Sequence, residues 1–186
     1  MFLLLAGAMG GVPILSAYLS IEDQFALQRT AFVIFVIAAS TDWVDGWLAR
    51  RWNATSRWGA ILDPIADKVL VTGTVIGVLA SGTTPTTIIP FGLILFREFA
   101  VSALRESTAG RVELPVTLLA KWKTALQMIA LGLQLLVVVL RERFIEEAWY
   151  PGFTTAADLF LWFAALVTLW TGWQYFSTAR KALRQP

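Results

Sequence analysis

The sequence of 186 residues contains no cysteine and no histidine. The first absence excludes a disulfide framework and any thiolate metal or redox centre. The second removes imidazole as base, nucleophile or metal ligand. Charge is scarce as well, at 15% of residues, where soluble domains carry about 25%. What is abundant is apolar: 57% of residues are hydrophobic, 13% aromatic, and the mean hydropathy is +0.66. Such a chain is too apolar for an ordinary water-soluble protein. Its chemistry must run on carboxylates, Lys, Arg, hydroxyls and bound ions.

Six apolar stretches, about 2–20, 30–49, 60–80, 87–104, 115–140 and 155–176, take up most of the length. Each is close to the roughly 20 residues one helical crossing of a bilayer needs. Alternation over about 10 residues, the mark of a barrel strand, does not occur. The connections at 21–29, 50–59, 81–86, 105–114 and 141–155 are short, and turn residues such as Ser81-Gly82 and Pro151-Gly152 punctuate two of them. The expected fold is therefore an all-α integral membrane protein with six transmembrane helices, one membrane-embedded domain over residues 1–186. The opening run lacks a basic n-region and a small-residue cleavage site, and is expected to be a first span instead of a removable signal.

Six spans put both termini and the 50–59 and 105–114 connections on one side. Ten cations gather there: Arg50, Arg51, Arg57, Arg105, Arg111, Lys121, Lys123, Arg180, Lys181 and Arg184. Only Arg29, Arg141 and Arg143 lie opposite, among Glu22, Asp23, Glu142, Glu146, Glu147 and Asp158. The positive-inside rule makes the first side cytoplasmic. Trp43, Trp47, Trp52 and Trp58 bracket the 50–59 connection, which suits headgroup depth.

Against this background, Asp42, Asp45, Asp63 and Asp67 are out of place. Asp42 and Asp45 are i,i+3 at the end of the second span, and Asp63 and Asp67 are i,i+4 near the start of the third. Each pair shares one helix face, and a short connection makes the two helices antiparallel neighbours. An acid at mid-bilayer costs about 2.5–3.5 kcal/mol, less near the interface, and four converging acids repel one another. Two divalent cations would neutralise the cluster. All-oxygen donors point to Mg²⁺, with Mn²⁺ or Ca²⁺ as substitutes. Two such ions a few ångströms apart stabilise attacking and leaving oxygens in phosphoryl transfer. Caps and interfacial ion pairs account for any one of these acids, but not for paired spacing on two adjacent helices. Gly46 and Gly59 serve close helix packing or leave space for a bulky ligand. Arg50, one turn beyond Gly46, serves either the positive-inside bias or a phosphate. Pro64 belongs in the first turn of its helix or at a kink.

These residues spell D-x-x-D-G-x-x-A-R-x8-G-x-x-x-D-x-x-x-D, complete as Asp42, Asp45, Gly46, Ala49, Arg50, Gly59, Asp63 and Asp67. The pattern resembles the signature of the CDP-alcohol phosphotransferases, and eight fixed positions over residues 42–67 make the match specific. The resemblance implies a six-helix homodimeric membrane enzyme that displaces CMP from a CDP-linked lipid with an alcohol, using two divalent ions. By that resemblance Asp42, Asp45, Asp63 and Asp67 hold the metals. Gly46, Arg50 and Gly59 lie along the cytidine diphosphate, and Asp67 also serves as the base for the attacking hydroxyl. Arg97-Glu98-Phe99, Ser102 to Glu106, Lys121 to Met128 and Arg50 to Asn53 are similar to the branch that uses glycerol-3-phosphate, the phosphatidylglycerophosphate synthases. One departure is at the start, where such enzymes carry an Asn…Thr…Arg stretch; here Asn53 is the sole asparagine and no Arg precedes Arg29.

Charge agrees with that branch. Glycerol-3-phosphate brings a dianionic phosphate, and Arg105, Arg111, Lys121 and Lys123 surround one cytoplasmic connection. Arg grips phosphate as a fork and Lys as a point charge. Arg97 and Glu98, within the fourth span, are expected to pair as structural ions. The expected partners are CDP-diacylglycerol, glycerol-3-phosphate, membrane lipid and a second copy of the chain, with no nucleic acid. The expected location is a bacterial inner membrane with the site facing the cytoplasm. Alternatives are a family member using inositol phosphate or a cardiolipin-type acceptor, and a divalent-cation transporter. A transporter has no use for Arg50 or for a basic cluster that repels its cargo.

Overall fold

A computed structural model describes residues 20–52, 57–82, 85–108 and 118–182, all helix apart from Ser20 and short turns. The helices are α1 (Ile21–Trp52), α2 (Arg57–Ala80), α3 (Pro85–Thr108), α4 (Leu118–Phe144) and α5 (Tyr150–Ala182). Among the described residues four segments are long and apolar enough to cross a membrane: Ile21–Thr41, Thr86–Thr108, Trp122–Phe144 and Tyr150–Lys181. The expected span at 2–20 lies outside the described residues. The expected span at 60–80 is helical, as α2, yet is not among the four. Any 18-residue stretch of α2 contains Asp63, Asp67 and Lys68, and three charges set this helix apart from a plain apolar span.

Helix boundaries depart from the sequence expectation in one direction: the helices run further. The 21–29 stretch, expected as a connection, is the start of α1. Ser20 explains it. Its Oγ accepts from the Asp23 amide at 3.1 Å, and Asp23 Oδ2 accepts from the Ser20 amide at 3.2 Å and the Ser20 hydroxyl at 2.7 Å. That is a reciprocal capping box, with Asp in place of the usual Glu. Likewise α3 runs on to Thr108, and the 141–155 connection shrinks to the turn between Phe144 and Tyr150. Arg50 and Gly59 are helical, on α1 and α2, rather than in a loop. Pro64 stands inside α2, beyond its first turn, where its missing N–H removes one i→i−4 bond.

The helices fall into two compact units. Unit 1 comprises α1, α2, the Leu131–Phe144 part of α4 and the opening of α5 to Thr154; unit 2 comprises α3, the rest of α4 and α5 from Thr155. In unit 1 the buried residues follow helical spacing: Ala31 and Phe35 on α1, Val71, Val75 and Val78 on α2, and Leu131, Leu135 and Val138 on α4. The Phe35 ring lies against Gly132, where a Cβ would come within 3.3 Å of its Cε1. At one end of the unit, Arg29 donates to Glu142 at 2.8 Å and Arg141 donates to the Ser81 carbonyl at 3.2 Å. The start of α1, the end of α2 and the end of α4 therefore meet. Trp149 packs near Phe144, Tyr150 and Phe153 at the α4–α5 turn, with ring centroids 5.2–6.1 Å apart. Such a cluster suits a membrane–water boundary.

In unit 2, α5 buries a stripe of small and polar residues, Ala157, Ala164, Thr168, Thr171 and Ala179 among them. Small residues let membrane helices approach closely. Its opposite face exposes Leu159, Phe163, Leu166, Trp170 and Trp173, as a lipid-facing surface does. Thr86 on α3 donates to Asp158 on α5 at 3.2 Å.

Candidate active site

The helical rise along α1 and α2 gives the level of the four aspartates within unit 1. Arg29 and Ser81 mark one end through their contacts with α4. At about 1.5 Å per residue, positions 42 and 45 lie about 20–24 Å along α1 from Arg29. Positions 67 and 63 lie about 21–27 Å back along α2 from Ser81 by the same rise. Both acidic pairs are thus at the other end of the unit, at matching depth, on helices separated only by residues 53–56. Asp67 is half-buried. For Asp42, Asp45, Arg50, Asp63 and Lys121 the description stops at the backbone, so the meeting of their side chains lies outside the described residues, as does Arg111. Among the described residues no three acidic side chains gather. The donor set itself fits a hard divalent cation: four carboxylates and no N or S ligand, borne by two consecutive helices.

Unit 2 holds the cations expected to bind the acceptor phosphate. Lys123 on α4 is 6% exposed, and its Nζ is 2.5 Å from Glu98 Oε1 on α3. The same oxygen accepts from Arg97 Nη1 at 3.3 Å. Arg97 is itself buried and reaches across to α5, where Nε donates to the Thr168 carbonyl at 3.1 Å and Nη2 to the Thr171 hydroxyl at 3.2 Å. Arg97 and Glu98 are thus paired structural ions, as their place in a span suggests. One carboxylate between two cations leaves this triad one positive charge in excess.

Arg105 closes the group. It lies in the last turn of α3, with its guanidinium carbon 4.8 Å from the centre of the Tyr175 ring and Nη2 donating to Tyr175 Oη at 2.8 Å. With Arg105 included, Arg97, Glu98, Lys123 and Arg105 sum to two positive charges, the match for a phosphate dianion. Two buried acceptors in this unit, Gln127 Oε1 and Thr168 Oγ1, have no hydrogen-bond partner among the described residues. Gln127 shares a helix face with Lys123, one turn on.

Sequence reasoning named Arg105 and Lys123 but missed Tyr175, Thr168 and Thr171. A signal existed: these three, with Ala164 and Ala179, repeat at steps of three and four along an otherwise apolar span. A polar stripe inside a membrane helix faces partners, not lipid.

Comparison with known proteins gives concordant matches to one family and to its members. Residues 2–170 match the family model described as CDP-alcohol phosphatidyltransferase. A CDP-diacylglycerol--glycerol-3-phosphate 3-phosphatidyltransferase of Cereibacter sphaeroides is 39% identical over 87% of this chain and 82% of its own length. Proteins of the same description from Haemophilus influenzae (37% identical; 91% and 86% covered) and Escherichia coli K12 (40%; 82% and 80%) are similarly related.

Proposed function

The chain belongs to the CDP-alcohol phosphatidyltransferase family, and on that premise we propose that it transfers the phosphatidyl group of CDP-diacylglycerol to glycerol-3-phosphate, releasing CMP in phospholipid synthesis. The observation that carries this is the complete eight-position signature, laid across the end of α1 and the start of α2. The phosphate-suited cations of unit 2 and the names of the relatives support the acceptor.

In this reading Asp42, Asp45, Asp63 and Asp67 hold two divalent ions, Mg²⁺ or Mn²⁺, and the chemistry supplied there is neutralisation of the carboxylates and of charge on the departing phosphate. Gly46 and Gly59, lacking side chains, leave room along the cytidine diphosphate, and Arg50 donates to its phosphates. Arg105, Arg111, Lys121 and Lys123 hold the phosphate of glycerol-3-phosphate, which fixes the direction of its sn-1 hydroxyl. Asp67 takes the proton of that hydroxyl. A bond forms between the hydroxyl oxygen and the β-phosphorus as the bond from that phosphorus to the CMP oxygen breaks, in line. No covalent enzyme intermediate is needed.

The same reading gives a single catalytic domain of six transmembrane helices, the first at about 2–20. The enzyme acts as a homodimer in a bacterial inner membrane, with acyl chains in lipid and the site open to the cytoplasm. The test is CMP release and product mass from purified protein with CDP-diacylglycerol, Mg²⁺ and a panel of acceptors. Glycerol-3-phosphate should give product, and serine and phosphatidylglycerol none. Product from inositol phosphate alone would overturn the acceptor assignment.

A further inference from the structure

Arg105 is held differently from the three basic side chains that form ion pairs among the described residues. Arg29, Arg97 and Lys123 each meet a carboxylate. Among the described residues Arg105 forms no ion pair; it is held by a neutral group, Tyr175, through ring and hydroxyl at once. An exposed arginine ordinarily samples many rotamers, and a carboxylate that fixed it would also cancel its charge. A tyrosine fixes it and leaves the charge intact.

Tyr175 is well built for that task. It is 5% exposed, and a second guanidinium, that of Arg97, stands 5.8 Å from its ring centre. Arg97 is locked independently by Thr168, Thr171 and Glu98, and its stem fills the space over Gly172. The ring is therefore set before Arg105 comes to it. A guanidinium has five N–H donors in a rigid fork, and the bond to Tyr175 engages only one nitrogen, Nη2.

Resting on Arg105 as a ligand of the acceptor's phosphate, we propose that Tyr175 is a positioning residue for the acceptor alcohol: it orients the Arg105 fork toward the phosphate without neutralising it. Binding then loses less rotamer freedom, and the gain falls on the phosphorylated acceptor alone, not on the CDP-lipid.

The test is a double-mutant cycle on the full-length protein in lipid nanodiscs, reading CMP release. Tyr175→Phe keeps ring and fold and removes the hydroxyl; it should raise the KM for glycerol-3-phosphate about threefold, with kcat and the KM for CDP-diacylglycerol unchanged. Tyr175→Leu removes the ring too, and about tenfold is expected. In an Arg105→Ala background Tyr175→Phe should have no further effect, because the residues act as one unit. An unchanged acceptor KM in both Tyr175 variants, or a Tyr175→Phe effect that persists in full without Arg105, overturns the inference. If the wild type instead uses inositol phosphate, the cycle is read on that acceptor: the glycerol-3-phosphate assignment then falls while the role of Tyr175 stands or falls on its own result.

Discussion

Replacing Gly172 by alanine probes the closest helix approach at any described glycine. A Cβ there would stand 2.8 Å from Arg97 Cγ, 3.3 Å from Nε and 3.7 Å from Cδ. The near atoms belong to the stem of a side chain whose Nε and Nη2 are bonded to Thr168 and Thr171, so Arg97 cannot yield by swinging its tip. Overpacking costs about 1–3 kcal/mol, and losing one hydrogen bond from a charged group about 1.5–3 kcal/mol. Helix propensity returns about 1 kcal/mol. The net is a loss of about 1.5–5 kcal/mol, which at roughly 2–4 °C per kcal/mol lowers Tm by at least about 3 °C. Two other glycines grade the scale. At Gly132 the nearest atom is the edge of the Phe35 ring at 3.3 Å, and clash and propensity should nearly cancel. At Gly92, inside α3, nothing lies within 4 Å, and alanine should raise Tm by about 2–4 °C. The nine tryptophans supply the signal for thermal unfolding in detergent. A Gly172→Ala protein as stable as Gly92→Ala would refute the packing of Arg97 described above.

Other perturbations separate the roles of single residues. Lys123→Met should raise the KM for glycerol-3-phosphate about tenfold and leave that for CDP-diacylglycerol in place, as substrate titrations will show. Glu98→Gln leaves Arg97 and Lys123, both buried, without their shared carboxylate; Glu98 is one-fifth exposed (20%), so a loss of about 1–3 kcal/mol is expected in thermal unfolding. Asp67→Asn should cut CMP release at least about 100-fold while the protein still folds, and wild-type turnover from that variant would exclude Asp67 as base. Arg29→Gln should cost no more than about 1 kcal/mol, because Arg29 is 58% exposed and exposed ion pairs contribute little.

The sequence was most readable where chemistry and solvent disagree. Four aspartates in apolar surroundings, at helix-face spacing, single out a candidate site without any coordinates, and so does a basic cluster beside a span. The helical class was equally legible from the long apolar runs. Boundaries were not, since hydropathy marks where lipid ends and α1 continues past that point: the Ser20–Asp23 capping box starts it a full two turns before the apolar run, in charged sequence. Pairing was legible only in part. Adjacent charges at Arg97 and Glu98 had to pair with something, yet the choice of Lys123 on one side and Thr168 and Thr171 on the other depends on helix rotation, which composition does not encode. Tyr175 was hidden for the same reason, because a tyrosine near a helix end reads first as an interfacial anchor.

The proposed mechanism needs two divalent ions between α1 and α2, held by the four aspartates. Mn²⁺ titration of the purified protein, followed by the loss of the free-ion paramagnetic resonance signal, measures this without any turnover. The wild type should bind two ions per chain, and the Asp42→Asn or Asp63→Asn variant at most one. No binding in the wild type, or two ions still bound in both variants, would contradict the mechanism.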